Sequence, residues 1–270
     1  MRAAADQLAG QGRTAEDDLV LAREASAFYL KLSESVLAQS PGHLALAESV
    51  AAGFTQYAYA FVAFEADRLE STDARAALRL RQRAARLYLR AHVHAMNALD
   101  RNNPALRAAL ASTNEPAQTI AAHLPAEQVG VAYWAAASWA AYISLSKDRP
   151  ETIADLPQAV RLARLAWERS PAHGEGALSS LMGSLEAARP GGSPQQAARY
   201  FDRAIADGAG RNAGAYLAKA EALSLPAGDR AGFEALLQQA LAAAETHRDL
   251  GNEVARERAT WLLQTIDDRF

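Results

Sequence analysis

The stretch Gly183–Ala204, GSLEAARPGGSPQQAARYFDRA, decides how the rest of the chain is read. It opens in an alanine-rich run, breaks at Arg189-Pro190-Gly191-Gly192 and restarts at Ser193-Pro194. Pro and Gly end a helix, whereas Ser is a good N-cap and Pro fits the first helical position. Beyond the restart, Ala197, Phe201 and Ala204 follow a small-x3-large-x2-small spacing. Small residues at those steps let a neighbouring helix come close, and the large one fills the gap between the two. The unit is therefore two helices joined by a short turn.

The spacing recurs. Ala159, Ala163 and Ala166 repeat it with Pro171 behind them, Ala91, Ala95 and Ala98 repeat it ahead of Pro104, and Phe233, Leu237 and Ala240 are a degenerate copy. With Gly183 upstream, about two residues further from Ala197 than usual, the pattern is that of a tetratricopeptide repeat. Alanine is frequent, β-branched runs are missing, and breakers such as Ser40-Pro41-Gly42, Arg149-Pro150 and Leu225-Pro226-Ala227-Gly228 punctuate the chain. Helices are predicted over 15–40, 43–68, 73–101, 126–147, 151–170, 173–189, 194–208, 213–224, 229–246 and 251–268. The fold class is all-α: a degenerate tetratricopeptide-like helical-repeat array, an α-α superhelix. Its end is closed by the C-terminal helix RERATWLLQTIDDRF, whose stripe of Ala255, Ala259, Leu262, Ile266 and Phe270 reads as a cap. Residues 1–270 are read as a single helical-repeat domain, with 104–125 an inserted excursion between helices and 1–14 a flexible N-terminal segment.

Composition narrows the function. The 270 residues are 50% hydrophobic and 22% charged, values of a soluble globular chain long enough for a large core. A net charge of −3 and a pI near 6.1 argue against general nucleic-acid binding. Cysteine is absent, which removes disulfides, thiolate nucleophiles and cysteine-bound zinc. The opening MRAAADQLAGQG lacks the apolar core of a signal peptide. The uncharged run Val129–Ser146, VGVAYWAAASWAAYISLS, falls short of the roughly 20 apolar residues of a membrane span. Its Ala and Ser content and its flanks, Glu127 and Lys147-Asp148, fit a helix buried among others, so no membrane span is expected in this chain.

No catalytic chemistry assembles. The histidines are scattered: His92 and His94 lie two apart on a helix and point in different directions, and no H-E-x-x-H is present, so no metal site is expected. Arg189-Pro190-Gly191-Gly192-Ser193 is rich in glycine ahead of a helix but lacks a following G-K-[ST] and a preceding strand, so it reads as an interhelical turn. No G-x-S-x-G appears. The expectation is a protein that is not an enzyme and uses no cofactor.

Two uncharged helices carry the anomaly. In Ser49–Phe64, SVAAGFTQYAYAFVAF, Phe54, Tyr57 and Phe61 share a stripe with Val50 and Phe64; in the run 129–146, Trp134, Ser138 and Tyr142 share a face. Buried hydroxyl and indole groups need partners. They either bond internally within an aromatic core or face a hollow that holds a ligand, since ligand pockets are apolar with a few convergent polar groups. On the second reading Phe54, Tyr57, Phe61, Trp134, Ser138 and Tyr142 line a ligand-binding cavity. Arg79, Arg83, Arg86 and Arg90, extended by Arg75, form an i, i+4, i+7, i+11 stripe. The stripe is a solvated face or a docking surface for an acidic partner.

Read as a whole from about Asp17 to Phe270, the chain resembles the TatT component of TRAP-type transporters, the tetratricopeptide-containing partner of a periplasmic solute-binding protein. The likeness is carried by GFTQYAYAFVAFEAD at 53–67, AAASWAAYISLSKDRPETIADLP at 135–157, GALSSLMGSLEAARPGG at 176–192, AARYFDRAIADGAGRN at 197–212, AKAEALSLPAGDRAGFEALL at 218–237 and the final helix. The resemblance implies a non-catalytic accessory subunit that binds or channels a small hydrophobic or organic-acid ligand through a central cavity. It also implies docking to the solute-binding protein and a homotrimer. It implies a periplasmic location, lipid-anchored in the full-length form, although this sequence shows neither an export signal nor the cysteine that such an anchor needs. The competing reading is a protein-interaction scaffold of the tetratricopeptide type without a small-molecule site.

Overall fold

The computed structural model describes residues 2–11, 18–112 and 124–270, and every regular element among them is helical. Its contacts group into two compact units. The first holds Arg2–Gln11 and Arg23–Arg169, and the second holds Ser170–Phe270 with the short stretch ending at Ala22.

The first unit contains α1 (Arg2–Gln11), α2 (Leu19–Gln39), α3 (Leu44–Ala58), a π turn over Tyr59–Ala63, and α4 (Phe64–Leu69). It continues with α5 (Ala74–Asn102), α6 (Leu106–Ala111), a 3-10 turn over Ala126–Gln128, α7 (Val129–Ser144), α8 (Pro150–Ile153) and α9 (Leu156–Arg169). Arg2–Gln11, within the stretch read as flexible, is thus helical. Of the excursion 104–125, residues 113–123 lie outside the described residues, as does His123. Start signals are chemical: Nδ1 of His43 accepts the Leu46 N–H ahead of α3, and Asp73 accepts the Ala76 N–H ahead of α5.

The uncharged run is explained by its neighbours. α7 packs on α3, α5 and α9, which enclose Val131, Ala132, Ala135, Ala136 and Ser138 completely. Among the described residues no helix is long and apolar enough to cross a membrane. His92 fastens α5 to α7: its Nδ1 lies 3.0 Å from the Ala135 carbonyl, and its ring lies 4.4 Å from that of Trp139. Burial pushes this imidazole down to about 4, the bond to Ala135 working the other way, so it is neutral near pH 7.

The second unit contains α10 (Ala177–Ala188), α11 (Pro194–Asp207), α12 (Ala213–Lys219) with a π turn at Ala220–Ser224, α13 (Arg230–Thr246) and α14 (Leu250–Gln264), followed by a 3-10 turn at Ile266–Asp268. Ala197, Phe201 and Ala204 are fully buried, and a Cβ on Gly183 would stand 2.9 Å from the Phe201 ring. The glycine of α10 is the seat of the phenylalanine of α11. The turn between them closes on Glu186, whose carboxylate accepts both Arg189 Nε (2.7 Å) and the Ser193 N–H (2.9 Å). Gly191 has φ 71°, a left-handed conformation that favours glycine. Ser193 Oγ accepts the Gln196 N–H, the cap expected from the sequence. The turn is built around its own carboxylate and works as an interhelical connection.

The other three spacings also point inward: Ala159, Ala163 and Ala166, then Ala91, Ala95 and Ala98, then Phe233, Leu237 and Ala240, all fully buried. The chain is all-α, and these buried positions are compatible with a tetratricopeptide-like array. In the final helix Ala255, Ala259 and Leu262 are buried, Ile266 is half-buried, and Phe270, 41% exposed, meets the ring of Phe233 edge-on at 5.5 Å.

Candidate ligand-binding face

The residues singled out as cavity lining all belong to the first unit, on α3, its π turn and α7. Their surroundings differ. Tyr57, Phe61 and Tyr142 come closest to the expected wall. Tyr57 and Tyr142, together with Leu80, Leu87 and Leu145, pack as half-buried side chains around a core of Ala58, Val62, Ala84 and Tyr88. Phe61 meets Tyr57 edge-to-face at 5.5 Å. Tyr142 also packs on a second small cluster of Trp139, Ile143, Ala159 and Leu156. The Tyr57 and Tyr142 hydroxyls make no hydrogen bond to another described residue. Each phenol therefore offers an unspent donor and acceptor beside apolar surface.

Phe54 is placed elsewhere. It is buried, stacked at 6.2 Å on His94, and covered by the Arg90 guanidinium at 5.1 Å. Both basic groups converge on Glu34 of α2: Arg90 donates from Nε and Nη2 at 2.5 Å each, His94 Nε2 lies at 2.7 Å and Lys31 Nζ at 2.5 Å. Burial alone would raise the Glu34 carboxyl; the hydrogen bonds from Arg90, Lys31 and His94 outweigh it and hold the group at about 2. This hub joins α2 to α5. It commits Arg90, read from the sequence as a docking residue, to an internal ion pair.

Trp134 is half-buried, its ring edge-on to Tyr133 at 4.8 Å. Burial pushes the Tyr133 phenol up to about 12. Ser138 is fully buried and gives its hydroxyl proton to its own helix, with Trp134 O at 2.6 Å and Ala135 O at 3.2 Å. Its polar atom is spent on the backbone.

On the arginine stripe, Arg79, Arg83 and Arg86 are exposed, and Arg83 lies over the Tyr57 ring at 5.9 Å. Sequence reasoning missed Tyr88, Leu80 and Leu87, which complete the cluster, and Glu34, which neutralises Arg90. The leucines had a signal, since Leu80, Arg83 and Leu87 are spaced i, i+3, i+7 on α5. Glu34 had none, because it is one of two acids in α2 and its partner is 56 residues away.

Fold and face together define an all-α protein with a half-open aromatic surface, edged by arginine, on its first unit. The profile of the family described as TRAP transporter T-component matches residues 15–270. The chain is also similar to an uncharacterized protein of Treponema pallidum (strain Nichols), with 29% identity over 268 residues, covering 95% of this chain and 82% of that protein. The chain belongs to the TRAP transporter T-component family, which gives it an accessory role in a TRAP transporter. Such a component is not a known enzyme class.

Proposed function

We propose that the chain binds a small, largely apolar or organic-acid ligand on the face formed by Tyr57, Phe61 and Tyr142, as a periplasmic accessory subunit that docks the solute-binding protein of its TRAP transporter. The observation that carries this reading is the pair of half-buried tyrosines whose hydroxyls make no hydrogen bond to a described residue, beside apolar side chains from three helical segments. Ser138, by contrast, spends its hydroxyl on its own helix. Trp134 and Ser138 lie on α7 with Tyr142, and Phe54 lies on α3 one turn before Tyr57, so these three support the helices that carry the face. Docking falls to Arg79 and Arg86, the stripe members not engaged by Glu34 or Tyr57, facing an acidic patch on the partner. The remaining family expectations, a homotrimer and a lipid anchor in the full-length form, are carried by the resemblance.

Native mass spectrometry of the purified protein tests the reading. A co-purifying small molecule is expected, retained by the wild type and lost in Tyr57→Ala and Trp134→Ala with helical content preserved. Retention in both variants would refute the assigned face. Absence of any bound species, with a complex still formed with the solute-binding protein, would favour the pure interaction scaffold.

A further inference from the structure

Arg83 differs from the ion-paired arginines of α5. Arg81 is tied to Asp67 at 3.5 Å and to Glu70, and Arg90 is neutralised by Glu34. Arg83 has no ion pair or hydrogen bond with a described residue; its guanidinium carbon lies over the Tyr57 ring, 5.9 Å from the centroid. It shares a helix face with Leu80, three residues before, and Leu87, four residues after, and both pack on the cluster that holds Tyr57 and Tyr142. The arrangement sets a planar cation with five N–H donors and no acceptor at the edge of an apolar, phenol-bearing surface.

The complement of that surface is an apolar body ending in an anionic, planar acceptor. A carboxylate accepts two parallel bonds from one guanidinium, and a tyrosine hydroxyl can donate a further bond to it. The position of the guanidinium over the Tyr57 ring sets it beside the apolar side chains and uses none of its N–H groups on a described carboxylate or carbonyl.

We propose that Arg83 is the carboxylate-binding residue of this face and that its ligands are monocarboxylates with an apolar chain or ring. The proposal rests on the reading of the Tyr57–Tyr142 face as a ligand site and gives that site its charge selectivity. Phe61, Leu80 and Leu87 contact the apolar body, and the Tyr57 and Tyr142 hydroxyls lie on the carboxylate side.

The test uses octanoate and its uncharged counterpart octanamide as probes in calorimetric titrations of the full chain. Wild type is expected to bind octanoate at least tenfold more tightly than octanamide. Arg83→Gln should remove that preference, weakening octanoate about tenfold or more and leaving octanamide unchanged. Arg83→Lys should restore part of it, since an ammonium keeps the charge without the fork. Arg101→Gln, an exposed arginine at the far end of α5, should bind both probes as wild type does. Arg83 is exposed, so its variants are expected to fold, with circular dichroism as the check. Equal wild-type affinity for the two probes, or an unchanged octanoate preference in Arg83→Gln, overturns the assignment of Arg83 while the ligand face stands. Failure of wild type to bind either probe overturns both.

Discussion

Phe201 and Tyr57 are aromatic residues in alanine-rich helices, and the protein treats them in opposite ways. Phe201 is fully enclosed, seated on a glycine that leaves room for its ring, with Ala197 and Ala204 on either side. Tyr57 is half-buried, edged by Phe61 and Arg83, with a hydroxyl that no described residue satisfies. The first is packing: a large side chain filling the space that small ones create. The second leaves surface and hydrogen-bonding capacity over, which packing alone does not require. An aromatic residue in such a chain is informative about function only when its neighbours fail to close around it.

The largest expected effect follows from that contrast. Phe201→Ala should destabilise its unit by about 3–5 kcal/mol in denaturant unfolding, the usual cost of emptying a tightly packed aromatic site. Tyr57→Ala, already partly hydrated, should cost less than half as much. Equal costs would mean that Tyr57 is as much a core residue as Phe201, and the comparison would fail.

A second test separates internal polar fasteners from the open face by pH. His92 is held at about 4 in the folded protein against an ordinary 6.5, so the unfolded chain takes up a proton that the folded one refuses. Its contribution is fully present above pH 6.5 and is lost as pH falls towards 4, up to about 3 kcal/mol. Glu34, held at about 2 against an ordinary 4.5, contributes above pH 4.5 and loses that contribution as pH falls through 2. Unfolding free energies measured across both windows should decline in two stages; His92→Gln should flatten the upper stage and Glu34→Gln the lower. A wild-type profile flat from pH 7 to 4 would contradict the neutral, buried imidazole.

The smallest effect sharpens the comparison most. Tyr57→Phe and Tyr142→Phe remove only hydroxyls that no described residue bonds, so stability should change by no more than about 0.5 kcal/mol. Loss of 1 kcal/mol or more in either would show that the hydroxyl has a structural partner.

Much of the fold was legible because its signals are local. Ser193-Pro194 announces a helix start within two residues, and Ala197, Phe201 and Ala204 announce a packing face within eight. The π turns at Tyr59–Ala63 and Ala220–Ser224 were not legible: each sits inside a predicted continuous helix, and nothing in YAFVA or AEALS breaks the helical pattern. The site was half legible. Helical periodicity groups Trp134, Ser138 and Tyr142, but it cannot say which of three neighbouring helices covers each residue. Ser138 is enclosed, while Tyr142 stays partly open. Periodicity likewise joined Phe54 to Tyr57, whereas Glu34, distant in sequence, draws Arg90 and His94 around Phe54.

The most direct test of the open face is NMR of protein carrying ring-labelled tyrosine, titrated with octanoate. The account expects the Tyr57 and Tyr142 ring resonances to shift in a saturable way while those of Tyr200 and Tyr216, in the second unit, stay fixed. Movement confined to Tyr200 or Tyr216, or none at any tyrosine with octanoate in large excess, would contradict it.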